Sequence, residues 1–199
     1  MFAELLAHDG VEELCELRSA FGFMAFHGGN LEKGTDGVAL AAGSKAGASV
    51  YAVVQPPDLR WHIPSTAVQP SESPVLATFI EHVDVVIALH GYGAEGYWTT
   101  LLLGGRNRPL ATHVGSALRA ALAPHDYEVV DDLESIPARL RGVHRDNPVN
   151  LPRGGGVQLE LPPRVRGTSP LSKPEYTEAL IEGLASAATT WSVTARGAE

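Results

Sequence analysis

The sequence has a single cysteine, Cys15, which rules out an intrachain disulfide and lets cysteine supply at most one ligand to any metal site. A metal in this chain must therefore be held by histidine and carboxylate. Positive charge is also scarce. Lys and Arg number 15 against 23 Asp and Glu, a formal net charge of −8, which argues against general nucleic-acid binding, where a basic face is the usual footprint. No uninterrupted apolar stretch reaches membrane-spanning length, and the first residues lack the basic region and long apolar core of a signal peptide, with Asp9, Glu12 and Glu13 coming early. The expectation is a soluble, cytoplasmic protein with no membrane or nucleic-acid partner. Internal repeats, low-complexity tracts and interdomain linkers are also missing, and nothing in the sequence sets the oligomeric state.

The hydrophobic share of 44% and charged share of 19% are those of a globular chain rather than a disordered one. At 199 residues the chain is long enough to bury a core without staples, and we expect one domain over residues 1–199. Periodicity and punctuation predict a helix near 10–20 with Cys15 on its inner face, where a small buried hydrophobe suits the position better than a reactive thiol. A buried strand near 21–26 follows, then a Gly-rich loop and a helix from Thr35 to Ala46 capped by Thr35 or Asp36. Strands are expected over Ala48–Gln55, Leu59–Ile63, the run ending at His90, Thr99–Leu103, Tyr127–Val130 and Val157–Leu161. Helices are expected over Pro74–His82 with Ser73 as cap, over Pro109–Leu122, and from Pro174 to Trp191 with Ser172 as a candidate cap. The stretch 145–156 reads as a long loop. This alternation predicts an α/β fold, a three-layer sandwich around a mixed, largely parallel sheet.

Two apolar runs end on histidine followed by glycine: Phe21-Gly-Phe-Met-Ala-Phe-His27-Gly-Gly and Val83-Asp-Val-Val-Ile-Ala-Leu-His90-Gly. Such runs read as fully buried strands, and ligands in these folds lie just past the carboxyl ends of the strands. Glu32 follows His27 closely, across two glycines that permit a sharp backbone turn. Two His and one Glu are an ordinary catalytic zinc set with a place left for water, so His27, Glu32 and His90 are the candidate ligands. In the late strand Val157, Leu159 and Leu161 face one side, leaving Gln158 and Glu160 on the other. If both faces are covered, Glu160 is a carboxylate in an apolar setting, which is costly unless it has a partner or a task. A general base beside an activated water is such a task. An edge strand with Glu160 on an exposed face is the other possibility.

Nine arginines fall between Arg106 and Arg166, and arginine suits bidentate carboxylate recognition. An acidic protein can thus hold an anionic substrate in a local basic cleft, although surface solvation is the simpler account of most of the nine.

The segments His27-Gly-Gly-Asn-Leu-Glu32-Lys-Gly-Thr, Trp61-His62-Ile-Pro-Ser-Thr, Ala88-Leu-His90-Gly, Leu103-Gly-Gly-Arg106-Asn107 and Asn150 through Gly-Val157-Gln-Leu-Glu160-Leu to Arg166 together resemble the poly-gamma-glutamate hydrolase family, which is related to the zinc carboxypeptidases. The resemblance runs in order over most of the chain. It implies a carboxypeptidase-like fold, one zinc ion and hydrolysis of γ-glutamyl amide bonds in poly-γ-glutamate or a γ-glutamyl peptide. It implies His27, Glu32 and His90 as metal ligands and Glu160 as general base. It also makes Arg106, with Asn107 beside it, a candidate to hold an oxyanion or a substrate carboxylate, and Arg153 and Arg166 further carboxylate binders. His62 is either a cleft or outer-shell residue or a packed core histidine. A carboxypeptidase-like amidase or deacylase for a small acylated amino acid, and a non-catalytic binder of anionic polymer, are the competing readings.

Overall fold

The computed structural model describes residues 1–191. Its centre is a seven-stranded sheet made of β1 (Glu12–Glu16), β2 (Phe21–Gly29), β3 (Ser49–Gln55), β4 (Val85–Gly91), β5 (Thr100–Leu103), β6 (Glu128–Val130) and β7 (Gly156–Leu161). The strands lie in the order β1-β3-β2-β4-β7-β5-β6. Neighbours from β3 through β7 run parallel, as do β5 and β6, whereas β1 against β3 and β5 against β7 are antiparallel. The sheet is therefore mixed and largely parallel, as the alternation of strands and helices predicted.

Among the described residues five α-helices cover its two faces: α1 (Phe2–Leu6), α2 (Thr35–Ala46), α3 (Pro74–His82), α4 (Arg108–Leu122) and α5 (Pro174–Thr190). The apolar positions of α2, α4 and α5 pack with Phe23, Ala25, Ile87, Leu89, Val157 and Leu159 on one face. On the other, α1 and α3 bring Phe2, Leu5, Leu76 and Phe79 against Met24, Phe26, Val86 and Ala88. Alternate residues of β2 and β4 thus go to opposite cores, and a strand buried on both faces reads as a continuous apolar run. Each fully buried large side chain contributes about 1.5–3 kcal/mol.

The structure corrects several local expectations. Residues 12–16 are an edge strand, not part of a helix. Glu13 accepts a hydrogen bond from Tyr51 Oη at 2.6 Å and another from Ser73, and Cys15 and Val11 pack against the second core. Tertiary pairing with β3 outweighs a weak helical pattern. Leu59–Ile63 is not a strand. The Gln55 side chain takes both backbone groups of Trp61, accepting from its N at 2.8 Å and donating to its O at 2.9 Å, and so replaces a strand neighbour. Helix α3 has the predicted Ser73 cap, which accepts from Leu76 N at 2.9 Å. Helix α2 is capped instead by Gly34 and α5 by Lys173, neither with a side-chain bond. Ser172 sits one residue too early and accepts from Ser169 N. Thr35 and Asp36 are used otherwise, as described next.

Candidate metal centre and cleft

The strand ends of β2, β4 and β7 form the floor of a cleft of about 890 Å³ whose lining includes His27, Glu32, His62, His90 and Glu160. Alternation along β4 sends His90 to the face of Val86 and Ala88. Along β2 the same rule would send His27 to the opposite face, with Phe23 and Ala25. A β-bulge between Ala25 and Gly28 inserts an extra residue and re-aims the side chain. The result is a His27 ring 5.2 Å from that of His90, with Phe26 edge-on to both at 4.7 and 4.8 Å.

The turn after β2 carries Glu32 back to the same place. Gly29 has φ +66°, and a Cβ there would stand 2.2 Å from Gln55 O, so only glycine fits. Glu32 N donates to His27 O at 2.9 Å. Thr35 Oγ1 donates to Glu32 O at 2.8 Å, and Asp36 Oδ1 accepts from Gly29 N at 3.1 Å. The two residues expected to cap α2 thus brace the ligand turn.

One Glu32 oxygen lies 3.1 Å from His27 Nδ1 and the other 3.4 Å from His90 Nδ1, and the second also accepts from Gly91 N at 2.9 Å. His27 Nε2 lies 2.8 Å from Ile63 O. A carbonyl can only accept, so Nε2 carries the hydrogen, and in that tautomer Nδ1 is the nitrogen left to face Glu32 with its lone pair. A lone pair facing a carboxylate requires a shared cation, whether proton or metal. His90 Nε2 is buried without a hydrogen-bond partner among the described residues, and one donor atom from each of the three residues lies within 4.8 Å of the others. Two imidazoles and a carboxylate fit a divalent metal. Burial acts to raise the Glu32 pKa, but the nearby His90 and His27 outweigh it and hold the carboxyl well below the usual range.

Glu160 stands on β7, an interior strand, and is only 4% exposed. It is in register with His90 on β4. Burial raises its pKa, the charge of Glu32 adds to this, and His90, Gln158 and Arg166 oppose it. Gln158, on the same face of β7, donates to Glu160 Oε1 at 2.8 Å, and Asn147 Nδ2 donates to Gln158 Oε1 at 2.8 Å. This buried relay fixes one carboxylate oxygen and leaves Oε2 without a hydrogen bond among the described residues. The shared period-two face was the sequence signal for Gln158; Asn147 and the Ile63 carbonyl had none.

The four other candidates separate. Arg106 is exposed and lines the cleft, with its backbone N on Asn150 Oδ1 at 3.0 Å. Asn107 caps α4, accepting from Leu110 N at 2.9 Å, and donates to Gly154 O at 2.9 Å, so both ends of its amide serve the fold. Arg166 does not line the cleft but donates to Leu161 O at 3.0 Å and to Lys33 O, with its guanidinium against Gly91. Arg153 pairs with Asp84, six residues before His90 and therefore roughly 20 Å away along the strand. His62 is exposed in the cleft, its ring 5.0 Å from that of His27, and not a core residue.

Solved structures share this architecture. A bacteriophage poly-gamma-glutamate hydrolase is 21% identical, with 90% of this chain and 89% of that chain covered and a TM-score of 0.68. YNDL in its apo, zinc-free form is 23% identical, covers 87% and 89%, and also has a TM-score of 0.68. A putative carboxypeptidase from Burkholderia mallei, 11% identical over 94% of this chain and 63% of that one, has a TM-score of 0.53. No curated protein matches. The fold is thus carboxypeptidase-like, carrying a histidine and carboxylate cluster suited to a metal. The model of the poly-gamma-glutamate hydrolase family matches residues 3–170, and the chain belongs to that hydrolase family.

Proposed function

We propose that this chain, acting as one catalytic domain, is a zinc-dependent hydrolase of the γ-glutamyl amide bonds of poly-γ-glutamate. The observation that carries the reading is the placing of Glu160 beside the His27, Glu32 and His90 cluster: a buried carboxylate with a raised pKa in a cleft that also holds a metal-ligand set. A binding protein gains nothing from burying such a group.

His27, Glu32 and His90 would hold the ion. A zinc so held polarises a scissile carbonyl and acidifies water. Glu160 Oε2, without a hydrogen-bond partner among the described residues, takes the proton from the attacking water and passes it to the leaving amine nitrogen. Gln158 keeps Oε1 from turning away during that transfer. Arg106 at the cleft wall offers its fork to a substrate carboxylate. The cleft volume of about 890 Å³ lies near the upper end of ligand sites, which suits a polymer segment better than a small acylated amino acid.

Metal content per chain and release of fragments from poly-γ-glutamate, each with and without chelator, test the reading together. Near-stoichiometric zinc with chelator-sensitive cleavage is expected. Zinc-loaded protein that leaves the polymer intact would overturn the substrate assignment.

A further inference from the structure

The arginines of the second half fall into two groups that the sequence does not distinguish. Arg108, Arg119 and Arg141 are tied to the protein: Arg108 to the carbonyls of Leu103, Gly104 and Asp131, Arg119 to Asp131, and Arg141 to Glu134 and Ile136 O. Arg106, Arg139 and Arg145 line the cleft instead. Among the described residues the guanidinium groups of Arg106 and Arg139 have no ion-pair or hydrogen-bond partner. Arg145, whose side chain is 84% exposed, has only its sequence neighbour Asp146 at 3.5 Å. Among the described residues the carboxylates lining this cleft are Glu32 and Glu160, the candidate metal ligand and base. A protein of net charge −8 thus presents a locally cationic wall around its site.

The wall is held in place. Asn150 Nδ2 donates to Gly142 O at 2.7 Å and to His144 O at 2.9 Å, and Asn147 ties the segment to Gln158. A braced backbone confines the loss of order on taking up anions to the arginine side chains themselves. One carboxylate, as on a small acylated amino acid, occupies a single arginine fork. Two unengaged forks, and a third held only by its exposed sequence neighbour, match a chain that repeats a carboxylate at every unit.

We propose that Arg139 and Arg145, on the rim formed by residues 138–147, bind α-carboxylates of a γ-linked polyanion that flank the reacting unit, so that the cleft selects polymer over single residues. This rests on the hydrolase reading above and names the residues that set its substrate length.

The test is binding of poly-γ-glutamate to the zinc-loaded Glu160→Gln protein, which keeps the polymer intact, with and without Arg139→Gln/Arg145→Gln. Both arginines are exposed, so the fold tolerates the changes. Lys45→Glu, at the far end of α2, alters net charge equally and serves as control. The double substitution is expected to weaken binding about tenfold and flatten its salt dependence, while Lys45→Glu does neither. Equal affinity with and without the double substitution, equal loss in the control, or no binding by the parent would each overturn the rim. Cleavage by the unsubstituted protein is scored separately: rim-dependent binding without cleavage would refute the hydrolase reading and leave the rim standing.

Discussion

His90 and Glu160 stand in register on the neighbouring parallel strands β4 and β7, 3% and 4% exposed. A candidate metal ligand and the candidate base are therefore set by one sheet ladder rather than by loops. Both positions share the face opposite Leu89 and Leu159, so their separation is held by the packing of two interior strands. Little reorganisation is left for the reaction itself.

Glu160→Gln should lower turnover on the order of 10²–10⁴-fold while zinc content stays at the wild-type level. The same change should alter stability in a pH-dependent way. Burial raises the folded pKa of Glu160 above its ordinary 4.5, so its contribution to stability is complete below 4.5 and is lost as pH rises through the folded value. Glutamine stays neutral throughout. Melting curves of the metal-free proteins should therefore coincide at low pH and separate near neutrality, with the variant the more stable. A less stable variant at neutral pH would contradict the burial argument.

Gln158→Leu removes the bond to Glu160 Oε1 and leaves Asn147 Nδ2 without its acceptor. The cost is about 1–3 kcal/mol for the unpaired buried amide. That hydrogen bond lowers the Glu160 pKa, so its loss moves the acid limb of the pH–rate profile to higher pH. A destabilised enzyme with an unmoved limb would mean that Gln158 serves packing alone.

His90→Ala should lose zinc and turnover together. Chelation of the wild type should lower its melting temperature and zinc should restore it, since an ion that binds only the folded state stabilises by mass action. Metal analysis after dialysis checks the first expectation; full occupancy in the variant would remove His90 from the ligand set.

Gly29→Ala forces a side chain into a position with φ +66° and against the backbone of Gln55. The left-handed conformation alone costs about 1–2 kcal/mol, and the steric overlap adds to it. The ligand turn should shift, so zinc affinity should fall along with stability, as a competition titration against a metal indicator will show. Unchanged affinity would mean that the turn can move without displacing Glu32.

Much of the candidate site was legible because it sits on strand ends. The runs ending at His27 and His90 carry strand identity, and for His90, and for Gln158 and Glu160 set apart from Val157, Leu159 and Leu161, alternation carries side-chain direction as well. The strand at Glu12–Glu16 was not legible as one, because five residues with mixed spacing take their form from β3 and Tyr51. Asn107 and Arg153 illustrate a second limit. A polar residue within a conspicuous motif can cap a helix or pair at the remote end of a strand, and sequence position does not distinguish these from cleft positions.

By itself the sequence determined that any metal would be held by histidine and carboxylate, that the sheet would be mixed and largely parallel, and that His27, Glu32, His90 and Glu160 were the residues to watch. Composition and periodicity suffice for that, because they depend on single residues and near neighbours. Tertiary structure alone decided that a bulge turns His27 to the face of His90, that β7 lies inside the sheet and buries Glu160, and which arginines stay unpaired at the cleft. Each of these depends on the register between strands distant in sequence, a long-range choice fixed only when the two cores pack.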